Sequence, residues 1–446
     1  MRRVEGCVHD RWMPQAASPL DEIRFPPERA LIDKLFARFG LEVLIGHYVG
    51  SGGARELYDA VLGSQLRLGP LFAPRLCSIL DDVRRRLAFD EPLEMFVTQD
   101  AAVNASAIQS LGPSHPHVVS LTSALVERMN DDELRFVLGH EVAHLAWRHY
   151  RARLAPLAFG GDASGESKAP PLLVRRMESW DRLAEISADR AGLVVVDGRL
   201  ATAVSAFFKI QSGLGPEHLR FDIQAFLAQL ESIEVLERRE LLAQFSHPAV
   251  PIRVRALQLF GEARSGRFSA ADADRDVERI TRLMDYSPSE PADMHMRDLI
   301  LAGGMLVAQA GAGDVSEDEW NVLVHLLLPY SPDPEAEVER VRSAEGAEKL
   351  LRESAAWLNA NAGAERFDAI RMLANVAAID ARLDDAELAM LHRIAAMLDV
   401  PRKATDEILF DVLADHVQMQ AVRGAPIPRL AETTAAEPAR LSRAGG

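Results

Sequence analysis

The chain has little cysteine. Among its 446 residues only Cys7 and Cys77 are of this type, too few for a disulfide framework, so a staple-held secreted scaffold is disfavoured and a reducing compartment fits. It also lacks a long apolar run: stretches such as "LEVLIGHYV" and "LILAGGMLVAQA" fall short of the roughly 18 residues needed to cross a bilayer. The opening "MRRVEGCVHDRWMPQAASPLDEIRF" has no apolar signal-peptide core. The expectation is a cytoplasmic chain without an integral membrane segment. Positive charge is not in excess either. Fifty Lys and Arg against 66 Asp and Glu give a formal net charge of -16, which argues against nucleic acid or an anionic membrane as partner, since both demand basic surface. What the chain does have is 48% hydrophobic residues and a mean hydropathy of -0.04, ample for burial. Its length exceeds what one core usually holds, so two or three domains are expected.

Composition shifts suggest where they divide. Residues 1–24 read as a flexible N-terminal arm, 25–265 as one domain, 266–289 as a linker following the small and polar run "GEARSGRFSAADADRD", 290–416 as a helical domain, and 417–446 as a disordered tail. From about Leu31 to Leu87 the spacing is helical, broken near "VGSGG" and "LGPLFAP". Short β-compatible runs follow at Leu93–Val97 and Val118–Thr122, and "APLAFGGDASGESKAPP" reads as a mobile loop. The fold class expected is mainly α (α+β): a domain with a small sheet, followed by an all-α helical bundle.

The stretch "FVLGHEVAHLAWRHY", residues 136–150, carries the first chemistry. Residues four apart on a helix sit about 6 Å along the same face, so His140 and His144 can grip one Zn2+ ion. Glu141, beside the first ligand, suits a general base that reaches a metal-activated water without binding the metal. The preceding "NDDELRF" supplies Asn130 or Asp131 as N-cap and early acids that favour the positive end of the helix dipole. A third ligand is expected from another helix. In "WDRLAEISADRAGLVVVDG", Glu185 and Asp189 share a face, so Glu185 can complete a His, His, Glu site while Asp189 hydrogen-bonds a ligand imidazole. The rival is His149, but five residues beyond His144 on a helix it points roughly 140° away.

With "HEVAH" and "EISAD" in this order, followed by "HPAVPIR" at 247–253 and preceded by "VNA" at 103–105, the chain resembles the gluzincin metallopeptidases that include the CAAX prenyl protease and HtpX, over roughly residues 35–260. The resemblance implies a zincin-like peptidase domain, with His247 stabilising the oxyanion and Arg253 fixing the acidic helix or the substrate. It further implies that Asn104 contacts a polypeptide substrate in extended conformation, and that the strand "VVSLT" pairs with that substrate. Unlike the membrane members of the family, this chain has only the polar "LAFGGDASGESKAPPLL" where they carry lipid-embedded spans.

Residues 290–416 contain an internal echo. "VAQAGAGDVSEDEWNVLVHLL" and "VAAIDARLDDAELAMLHRIAAML" align at an offset of 68, pairing Ala312 with Asp380 and Glu319 with Glu387. The arrangement resembles the TerB-like helical module associated with tellurite resistance, in which each half carries an acidic turn. Here Ala381 stands where that turn has Gly, and Ala312 where it has Asp. Two N-capped helices of a bundle explain the same pattern. The function expected is a zinc endopeptidase, with the TerB-like part as a control element or a protein-partner surface; the alternative is a catalytically weak peptidase-like binding protein or stress-response scaffold.

Overall fold

The computed structural model of the chain describes residues 19–50, 55–110, 115–159, 169–220, 222–234, 247–285, 291–312, 315–331, 333–341, 344–379 and 383–422. It is mainly helical with one four-stranded sheet, and it divides into two compact units, Met1–Ser287 and Pro288–Gly446.

In the first unit the sheet has the order β1-β2-β4-β3, with β1 Leu66–Leu68, β2 Leu93–Thr98, β3 Ala105–Ile108 and β4 His117–Thr122. β2 runs parallel to β4, and β1 and β3 are antiparallel to their neighbours. Two of these strands match the β-compatible runs in the sequence. β1 does not: it lies inside a stretch whose spacing reads as helical, and it has only three residues. The expectation that "VVSLT" is the pairing edge is corrected, because β4 already has β2 on one side and β3 on the other. Among the described residues the outer strand on this side is β3. Every residue of β4 is buried, as suits a strand covered on both faces.

Against the sheet packs the motif helix Asp131–Ala146. Asn130 is its N-cap and forms a capping box with Glu133, which satisfies donors the first turn would otherwise leave open. The helix is buried on nearly every side, from Leu134 to Leu145, and it packs most extensively on the acidic helix Pro171–Val195. Two glycines set how near these helices come. A Cβ on Gly139 would lie 3.1 Å from the Gly192 Cα, and a Cβ on Gly192 would lie 2.7 Å from the Phe136 carbonyl oxygen. Backbone therefore meets backbone beside the histidines. The motif helix ends at Ala146, and Arg148 takes a left-handed conformation with φ 55°, so the short helix His149–Arg153 starts in a new direction.

The first unit also takes in segments expected to be loose. Leu20 and Ile23 are buried in its main core, so residues 19–24 are packed; the rest of the expected arm lies outside the described residues. Within 266–289, expected to be a linker, the helix Ala270–Thr281 is capped by Ser269 and buries Ala273, Val277 and Ile280 against the helix Val250–Arg264. Its apolar positions recur at helical spacing inside a charged run, which is why composition alone hid it. Of the expected mobile loop, Ala155–Ala158 is helical, and 160–168 lie outside the described residues.

The second unit is entirely helical among its described residues. Pro291–Ala312 packs against Ala344–Asn361, Glu365–Ala377 and Asp385–Met397. The final helix, Arg402–Val422, runs into the expected tail, whose remainder lies outside the described residues.

Candidate metal centre

Three side chains converge. The Nε2 atoms of His140 and His144 face each other at 3.0 Å. Glu185 presents Oε2 to His140 at 3.3 Å and Oε1 to His144 at 3.4 Å. All three residues are buried, and one ligand atom from each lies within 4.8 Å of the other two; among the described residues this is the one such His, Cys, Asp or Glu group.

The reverse side of each ring is engaged. His140 Nδ1 meets Asp189 Oδ1 at 2.9 Å, and His144 Nδ1 meets His149 Nδ1 at 2.8 Å. Both Nε2 atoms are thereby directed at Glu185. Two imidazole nitrogens and a carboxylate oxygen are a donor set that suits zinc, and the outward bonds are of the kind that orient metal-binding histidines. Asp189 is held in turn by Arg253, whose Nε and Nη2 donate at 2.8 and 2.6 Å. This two-bond fork fixes the carboxylate in the plane of the guanidinium.

Burial and charge pull the titrations apart. Burial opposes a proton on His140, but hydrogen bonds to Asp189 and Glu185 outweigh it and raise the imidazole to about 10. Burial lowers His144, and it lowers the wholly enclosed His149 much further. Burial alone would raise Glu185; its bonds to the two histidines hold it well below the usual carboxylate range. Glu141 is raised, chiefly because it is out of water. A carboxylate so placed is a better base than one in solvent.

A cavity of about 220 Å³ opens onto these groups. Asn104, Ala105, Ser106 and Ala107 border it on the side of β3, while Glu141, Tyr150, Arg153, Glu185 and His247 line the rest. Asn104 is exposed at the start of β3, its backbone N–H donating to Thr122 Oγ1 at 3.0 Å. His247 stays 59% exposed, with Nε2 3.7 Å from Glu185 Oε1. All eight residues singled out in the sequence are thus brought into one region. Four features were not foreseen. Arg153 reaches Asp181 at 2.9 Å and Glu185 at 3.5 Å. Gly139 and Gly192 allow the helix approach, and an unbroken helical pattern running through a glycine was the available signal. His149 turns back toward His144. The buried Glu28 lies 3.7 Å from His149, and nothing in the local sequence marks it.

The repeated acids of the second unit are employed differently. Ser316 and Glu319 form one capping box and Asp384 and Glu387 another, so the offset of 68 that links Glu319 to Glu387 also links the two caps. Asp380 and Ala381 lie outside the described residues.

Comparison with known proteins points to metallopeptidases. Residues 70–259 match the family profile described as Peptidase family M48. Over 250 residues the chain is 29% identical to the plastoglobule-localized metallopeptidase 48, chloroplastic, of Arabidopsis thaliana, covering 53% of this chain and 71% of that protein. It is 32% identical over 108 residues to a protease HtpX homolog of Levilactobacillus brevis, covering 24% of this chain and 33% of the relative. With an HtpX homolog of Streptococcus pneumoniae it shares 36% over 86 residues, 19% of this chain and 27% of the relative. The chain thus spans about a third or less of the HtpX homologs it matches. No described helix is long and apolar enough to cross a membrane. Residues 70–259, the part similar to the metallopeptidases of family M48, contain both histidines, Glu141, Glu185, Asp189, His247 and Arg253.

Proposed function

We propose that the chain is a zinc-dependent endopeptidase acting on cytoplasmic polypeptides. The observation that carries this reading is the convergence of His140, His144 and Glu185 beside Glu141, in a cavity that opens next to the outer strand β3. His140, His144 and Glu185 would hold the ion. When bound, zinc acidifies water and polarises the scissile carbonyl. Glu141 accepts the proton of the attacking water and returns it to the leaving amine, a role typically contributing about 10²- to 10⁴-fold. Its burial beside the cavity supports that role. His247 steadies the oxyanion, Asn104 contacts the substrate backbone, and an extended peptide lies along β3, whose Ala105–Ala107 segment borders the cavity. Asp189 and Arg253 orient His140. The helical unit, TerB-like in its repeated pattern, serves as a partner or control module.

Metal analysis of the purified chain, together with cleavage profiling on a peptide library, tests this reading. Glu141→Gln should keep one zinc per chain yet cut hydrolysis by about 10²-fold or more. Turnover near that of the wild type would refute the assigned base. Zinc without any cleavage in the wild type would favour a peptidase-like binding protein.

A further inference from the structure

We infer that His149 is a positioning residue for His144, holding that imidazole in the tautomer whose Nε2 lone pair faces the metal, with the buried Glu28 favouring the required tautomer of His149. The inference rests on the zinc reading above.

The hydrogen bond between the two Nδ1 atoms, 2.8 Å long, contains one proton. If His144 is to offer the Nε2 lone pair, its own proton sits on Nδ1 and is donated to His149. His149 then carries its proton on Nε2. That atom is buried, has no hydrogen-bond partner, and lies 3.7 Å from Glu28 Oε1. The opposite arrangement would aim the Nε2 lone pair of His149 at a carboxylate oxygen, an electrostatic clash in a site closed to water. Glu28 therefore biases the pair toward the tautomer in which His144 can bind a metal.

Glu28 is itself fixed. It is fully buried and accepts hydrogen bonds from Arg24 at 2.6 and 2.8 Å, Trp180 Nε1 at 2.8 Å and Ser187 Oγ at 3.2 Å. The plane of the His149 ring is set by Trp147 stacked at 5.7 Å and Trp180 edge-on at 5.4 Å. The left-handed Arg148 makes this arrangement reachable, because it ends the motif helix and brings the histidine around. Glu28 sits on the helix Pro26–Phe39, outside the residues 70–259 that match the peptidase family. The support of His144 thus draws on a part of this chain that the family match does not cover.

Two near-isosteric replacements in the full-length chain separate positioning from packing. His149→Leu removes the acceptor, whereas His149→Asn places an amide oxygen where Nδ1 stood. Competition with a chromophoric chelator should show the zinc dissociation constant raised about 10- to 100-fold by leucine, and kept within about threefold of wild type by asparagine. Long-range ¹H–¹⁵N spectra of the wild type should show His149 protonated at Nε2 and not at Nδ1. Equal weakening by both replacements, no weakening by either, or a proton on His149 Nδ1 overturns the inference and leaves the zinc reading standing. A wild-type chain that takes up no zinc overturns both.

Discussion

Both units carry acidic residues at helical spacing, and they use them in opposite ways. In the first, Glu141, Glu185 and Asp189 are all within 8% exposure, and Glu185 and Asp189 meet histidines and Arg253. In the second, Glu319 and Glu387 turn back to the backbone N–H groups of Ser316 and Asp384, at 2.7 and 2.9 Å. An ionised carboxylate taken out of water costs several kcal/mol unless partners compensate; Glu319, buried at 9% exposure, finds its partner in the backbone N–H at its own helix start, a capping arrangement that contributes about 1 kcal/mol. Acidic spacing alone does not mark a metal centre. What distinguishes the first unit is that its buried acids converge with imidazoles, whereas the buried Glu319 meets only backbone at its helix start.

The largest effect that tests this contrast is on metal content. Glu185→Ala should strip zinc or weaken it strongly, because the site loses one of three ligands, while Glu387→Ala should leave zinc stoichiometry untouched. Elemental analysis of the two purified variants decides. Retention of full zinc by the first, or loss from the second, would break the division of roles between the units.

A smaller effect concerns the glycines. Gly192→Ala drives a methyl group into the Phe136 carbonyl oxygen at 2.7 Å, and backbone cannot move aside cheaply. The expected cost is about 1–3 kcal/mol, read from the denaturation midpoint, with weaker zinc binding as the helices separate. Gly304 in the second unit makes the control. A Cβ there would meet the tip of Leu323, a side chain able to change rotamer, so Gly304→Ala should cost less. If Gly304→Ala proves the costlier, side-chain adjustment is not what separates the two positions.

How much could be seen in the sequence follows the range of the forces involved. The motif helix was legible because spacing of four and an N-cap are local properties, and Asn130 does cap it. Glu185 and Asp189 were legible as a pair on one face. Helical spacing alone turns His149 away from His144; the left-handed Arg148, which carries no local signal, breaks the helix between them and brings the ring back. Glu28 was invisible for a different reason: its partners Trp180 and Ser187 lie more than 150 residues away, at separations of 152 and 159. The resemblance places substrate pairing on "VVSLT", yet the strong apolar character of that run selects the middle of a sheet, and the shorter β3 takes the outside.

The smallest expected effect lies in the caps. Ser316 accepts from the Glu319 N–H at 3.2 Å, and Asp384 accepts from the Ala386 N–H at 2.7 Å. Ser316→Ala and Asp384→Ala each leave helix donors to water alone, so each should cost about 0.5–2 kcal/mol in the thermal unfolding of the second unit. The two sites lie on different helices and use different side chains, so their costs should add in the double variant to within about 0.5 kcal/mol. Zinc content should not change in any of the three. A loss much larger than the sum would mean that the two turns share a ligand or a common network, and would return the acidic echo from helix capping to site chemistry.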